Sequence, residues 1–243
     1  MPNPIFNDNF VRSDVMSDSS TMSVQGTMMK SLIMITLIII SASHTWSLFA
    51  QGFVDKANAL GVSGAIAALV AILVLYFTHK AAPVLSIIYS IGEGLFLGGI
   101  SAMFEKFYPG IVTTAVFATF ATMGIMLLLY SARVIRYTEK FRAVILTATL
   151  SVGVIYVIQI VASLFGRSIP QIFTASPIGI GFSAVVCLIA AFNFIADFGF
   201  IENASKSFSP KVYEWIGAVG LMTSLVWLYV EVLHLLAKLN DRS

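Results

Sequence analysis

The chain has 243 residues, of which 58% are hydrophobic and 11% charged, with a mean hydropathy of +0.92. Soluble domains carry about 25% charged residues, so this composition belongs to a membrane protein and leaves no room for a large soluble catalytic domain. A net charge of +2 offers no basic surface for nucleic acid, and a single cysteine, Cys187, excludes an intrachain disulfide or a thiolate zinc cluster.

Residues 1–29 are polar, with Asp8, Asp14, Asp18 and a Ser/Thr-rich stretch. They read as a disordered N-terminal tail, with neither the apolar core nor the small-residue cleavage site of a signal peptide. Residues 30–239 then hold seven apolar segments, each close to the roughly 20 residues a spanning helix needs. They run from Ser31 to Ala50, Leu60 to Phe77, Pro83 to Phe104, Ile111 to Tyr130, Ala143 to Phe165, Ile178 to Phe198 and Trp215 to Leu236. Residues 240–243 form a C-terminal tail. The fold expected is an all-α membrane protein of seven transmembrane helices, because a helix satisfies its own backbone in lipid.

Orientation follows the positive residues. With the N-terminus in the cytoplasm, the inner set is Arg12, Lys30, Lys80, Arg133, Arg136, Lys140, Arg142, Lys206 and Lys211, against Lys56, Lys106, Arg167, Lys238 and Arg242 outside. The segment from Arg133 to Arg142 contributes four of the inner nine.

Ionisable groups inside apolar spans are costly, and function is their default explanation. Five occur: His44, Glu93, Asp197, Glu231 and His234. Glu93 lies near the middle of the third span, on one stripe with Ser86, Ser90, Leu97 and Ser101. A neutral Glu93 hydrogen-bonded to a neighbour is the plain alternative. Asp197 closes the sixth span, with Asn193 one turn before it and Ser183 and Cys187 on nearly the same face. Glu231 shares a stripe with Gly217, Gly220, Ser224 and His234. The two histidines fall near the outer interface and read as hydrogen-bonding groups. Gly94 and Gly98 permit close helix packing.

Two carboxyls in one bundle can share a proton and, once it leaves, present hard oxygens to calcium. Too few oxygens are present for a tight cage, so a weak calcium site at Asp197 is the most this pattern supports. Gly181-Phe182-Ser183-Ala184 has the look of an intramembrane serine hydrolase motif with His234 as base. No oxyanion motif accompanies it, so the chain reads as a non-enzyme, with hydrolysis a remote alternative.

Taken together, these residues resemble the Bax inhibitor-1 family, and the short tail and compact loops look like its bacterial members, which implies a multi-pass protein of the cytoplasmic (inner) membrane. The likeness lies in Tyr89–Tyr130 with its glycine-bearing core and short acidic turn, in Phe194-Ile195-Ala196-Asp197-Phe198, and in the closing Trp227–Leu236 segment. There Glu231 stands where the family pattern has aspartate. The resemblance implies six helices around a central seventh, and a pH-sensitive calcium leak whose last two helices carry a proton-sharing acid pair. Those acids are Asp197 and Glu231, with Glu93 as a further pH-sensing or ion-pathway residue. Arg133 and Arg136 are candidate latch residues at the cytoplasmic mouth. The partners expected are the lipid bilayer, calcium ions and protons, and other membrane proteins; no cofactor is implied. A non-conducting protein that binds and regulates membrane proteins is the competing reading.

The spacing argues against direct contact between the two acids. A hairpin turn near Ser207 puts Asp197 level with Gly217, which leaves Glu231 some 14 residues deeper, about 21 Å along the axis. Glu93 and Glu214 are then the alternative partners of Asp197.

Overall fold

The computed structural model describes residues 21–166 and 170–242. Among these residues seven long helices follow one another: α1 Val24–Ala50, α2 Val54–Phe77, α3 Ala82–Phe107, α4 Ile111–Ser131, α5 Glu139–Leu164, α6 Pro177–Lys206 and α7 Tyr213–Asn240. Each is long and apolar enough to cross a membrane. A short 3-10 turn, His79–Ala81, precedes α3, and a single helical turn, Pro170–Phe173, precedes α6.

Several helices outrun their apolar segments by one or two turns, and polar caps explain where two of them begin. Helix α1 starts at Val24 instead of Ser31, because the Ser23 side chain accepts from Gly26 N–H. The expected tail boundary at residue 29 moves back accordingly, and residues 1–20 lie outside the described part. Helix α5 starts at Glu139, four residues before the apolar run, because the Thr138 hydroxyl accepts from Phe141 N–H. Such side-chain acceptors satisfy the orphan donors of a helix N-terminus. The turn into α4 uses a carboxylate instead: Glu105 accepts from Gly110 N–H at 2.6 Å and from Val112 N–H at 3.1 Å. Gly110, at φ +85°, supplies the left-handed step that lets the chain reverse.

In lipid, helix association rests on close packing more than on the hydrophobic effect, which makes small residues the determinants of approach. Helix α3 is gripped on two sides by this means. A side chain at Gly94 or Gly98 would run into the α1 backbone at Ile38 and Ala42, and one at Gly92 would run into α2 at Gly64 and Ala68. Helix α7 is the most enclosed, with 56% of an apolar 18-residue stretch buried against 11% for α5. It packs on α1, α3, α4 and α6, while α2 packs mainly on α3, and α5 on α6.

Candidate functional site

The seam between α6 and α7 carries the sequence-predicted acids. Asp197, partly buried in the last third of α6, accepts a 2.5 Å hydrogen bond from the Ser224 hydroxyl of α7. Its carboxyl also faces Gly220, whose missing side chain makes the room. The level of Asp197 on α7 is therefore Gly220 to Ser224, not Gly217. Glu231 lies seven residues beyond Ser224, about 10 Å along the helix, so the offset is half that expected but still too great for the two acids to touch. The hairpin closes later than expected because α6 continues to Lys206 and α7 starts only at Tyr213.

Glu231 is 2% exposed. Its Oε1 accepts from the Tyr156 hydroxyl of α5 at 2.7 Å and from Trp227 Nε1 at 3.0 Å. Both donors are neutral. Glu93 is partly buried in α3 and neighbours the Tyr89 hydroxyl one turn away; Tyr89 in turn reaches Thr223 of α7. Thr223 and Ser224 are consecutive, so the Glu93–Tyr89 pair and Asp197 meet the same turn of α7 on faces about 100° apart. Of the two alternatives to Glu231, Glu93 shares the Asp197 layer. Glu214 does not: it is 1% exposed, forms an ion pair with Lys30 of α1, and accepts from Ser23 N–H and the Ser23 hydroxyl, each at 3.0 Å.

The loop after α4 lies over the same end of the seam. The Tyr137 ring covers Gly199, two residues from Asp197, at a spacing that leaves no room for a side chain there. Arg133 and Arg136 are exposed on this loop. Arg133 lies within electrostatic range of Glu202, which is ion-paired with Lys206 and receives the Tyr130 hydroxyl. Asn193 ties α6 to α5 by donating to Thr149 at 3.0 Å.

At the opposite end of the seam, Ser183 is bonded to Lys238 and not to His234. His234 packs edge-on against Phe104, with ring centroids 5.5 Å apart. His44 is exposed. Beyond the spans, the Tyr108 hydroxyl donates to Asp241 Oδ1 at 2.5 Å. That bond, with the carboxylate charge behind it, holds the phenol above its usual pKa. Among the described residues, no three His, Cys, Asp or Glu side chains converge as a metal cage. An apolar cleft of about 270 Å³ opens between α1, α3, α4 and α7, lined by Ile38, Trp46, Leu97, Val116, Phe120 and Tyr229 among others. None of the acids lines it.

Sequence reasoning passed over Tyr156, Trp227, Tyr137 and Lys238. The first three are aromatic residues in apolar surroundings, which composition alone reads as lipid-facing or interfacial. Lys238 reads from sequence as an outside charge, because it follows the last apolar segment.

A seven-helix chain with carboxyls set between its last two spans defines a class of multi-pass membrane proteins. Residues 3–241 match the family model described as Bax inhibitor 1 like, and the chain belongs to that family. Searches of curated proteins and of solved structures returned no match.

Proposed function

We propose that the protein is a proton-sensitive cation leak, with calcium as the permeant ion and the α6–α7 seam as its route. The observation that carries this reading is the setting of Asp197. Its carboxyl lies between two helices on a serine hydroxyl, with no cationic side chain paired to it among the described residues. A carboxyl so placed is neutral when it holds a proton and becomes a bare negative charge in a poorly solvating layer when the proton leaves. The charged form draws a hard cation; the neutral form does not. Weak binding of this kind lets an ion leave as well as arrive.

Glu93, across the same turn of α7, adds a second oxygen group to the layer, and Glu231 is the next carboxyl along the seam. The face that carries Lys30 and the Arg133–Arg142 loop is cytoplasmic on this reading, with Tyr137 and the two arginines roofing the mouth above Asp197. Membership of the Bax inhibitor 1-like family supports the same assignment.

The test is calcium flux into proteoliposomes between about pH 5 and 8, the range that carboxyls removed from water occupy. Wild type should conduct more as the pH rises, because deprotonation creates the attracting charge. Asp197→Asn, which cannot ionise, should lose that pH dependence. Flux in the mutant that stays pH-dependent would transfer the sensor to Glu93 or Glu231.

The competing reading, a non-conducting protein that binds membrane partners, draws support from the lateral apolar cleft. Absence of flux from inserted protein, together with a co-purifying membrane protein, would select it.

A further inference from the structure

Lys238 stands in the last turn of α7, half-buried, and three hydrogen bonds occupy its ammonium group. Nζ donates to the Ile172 carbonyl at 3.1 Å, to the Gly179 carbonyl at 3.2 Å and to the Ser183 hydroxyl at 2.8 Å. The first oxygen comes from the single helical turn before α6, and the other two from the opening turns of α6 itself. Ser183 is 2% exposed, so this is an interior contact and not a surface one.

Carbonyl and hydroxyl oxygens converging on one point are how proteins replace the water shell of a small cation. Here the cation is the protein's own, and its chemistry fits: an ammonium is a compact point charge with three donors on a flexible stem, which an arginine fork is not. Deeper along the same seam lie Cys187, one turn below Ser183, and Glu231, two turns below Lys238. Lys238 interacts electrostatically with both. Glu231 would draw cations inwards, and the Lys238 charge stands between it and the end of the bundle where α7 terminates. Like charges repel strongly where solvent is scarce.

We infer that the Ile172 carbonyl, the Gly179 carbonyl and the Ser183 hydroxyl form a site for a small inorganic cation, held shut by the Lys238 ammonium as an internal plug. A cation reaches Glu231 from this end only when the ammonium leaves the three oxygens. The stem allows that movement, because a lysine near a helix end can extend its charge to the membrane interface. The plug rests on the leak reading for its route; the oxygen site does not.

Two measurements separate them. In proteoliposomes, Lys238→Met keeps a stem of similar length without the charge, and Lys238→Arg keeps the charge. Calcium flux should rise about tenfold or more in Lys238→Met, the scale set by losing hydrogen bonds to a charged group, and rise less in Lys238→Arg, which keeps the charge but not the point-donor fit to the three oxygens. Equal flux in wild type and Lys238→Met, with both thermally intact, would overturn the plug and leave the leak standing. No flux in any variant would overturn the plug together with the leak.

The oxygen site is read without flux, by the thermal midpoint of detergent-solubilised Lys238→Met, which keeps all three oxygens. Sodium or calcium, compared with tetraethylammonium at equal ionic strength, should raise that midpoint in Lys238→Met and leave wild type unchanged, because a cation that binds only the folded state stabilises it. An unchanged midpoint in Lys238→Met would overturn the cation site.

Discussion

Two glutamates on α7 are almost equally buried, Glu214 at 1% exposed and Glu231 at 2%, yet they sit in opposite company. Glu214 meets an ammonium, Lys30, and both hydrogen-bonding groups of Ser23. Its charge is neutralised at the site, and the contact ties the start of α1 to the start of α7. A short pairing of Met22 N–H with the Ser209 carbonyl, at 2.7 Å, extends the same clamp. Glu231 meets only neutral donors, Tyr156 and Trp227. Burial alone therefore does not mark a functional acid. A paired carboxylate is a fixed structural charge, whereas one held by neutral donors keeps its attraction for protons and cations.

The sharpest way to break this comparison is to make the first glutamate resemble the second. Lys30→Ala strands a buried charge, and loss of one partner from such a pair costs about 3–5 kcal/mol. A large fall in the thermal midpoint of the detergent-solubilised protein is expected, and Glu214→Gln in the same background should recover most of it. If Lys30→Ala unfolds like wild type, the clamp carries no weight.

The second test acts on Glu231. Its amide isostere, Glu231→Gln, retains an oxygen that accepts from Tyr156 and Trp227, so stability should change by no more than about 1 kcal/mol. Calcium flux should nevertheless fall several-fold, because the charge along the seam is gone. Loss of stability without loss of flux would place Glu231 with Glu214 as a structural acid.

The smallest effect is expected at the mouth. Arg133 and Arg136 are exposed, so replacing both with alanine should alter stability by no more than about 0.5 kcal/mol. If the loop holds the mouth closed, flux rises modestly in the double variant. Unaltered flux would remove both arginines from the gate and leave Tyr137 as the covering group.

The acids themselves were legible because a charged residue inside an apolar run stands out against its own segment. Their partners were not. A hairpin centred near Ser207 puts Asp197 level with Gly217, whereas contact with Gly220 and Ser224 puts the centre nearer Pro210. That shift of a few residues comes from α6 running on past its apolar segment, which hydropathy does not register. Glu214 read as an interfacial acid free to pair with Asp197, because the sequence gives no sign that α1 extends back to Ser23 and brings Lys30 beside it.

The sequence by itself determined the seven spans, the family and the small set of interior acids. Each of these is a property of one segment summed over its own residues: apolar length, a charge within it, a motif along it. Only the tertiary structure decided that Lys30 neutralises Glu214, that Tyr156 and Trp227 hold Glu231, that Asp197 and the Glu93–Tyr89 pair reach one turn of α7, and that Lys238 binds three oxygens at the far end. Each of those depends on which helix faces which and at what height. In lipid that register is set by close contacts such as Gly94 and Gly98 on α1, because surrounding hydrocarbon rewards every apolar face alike.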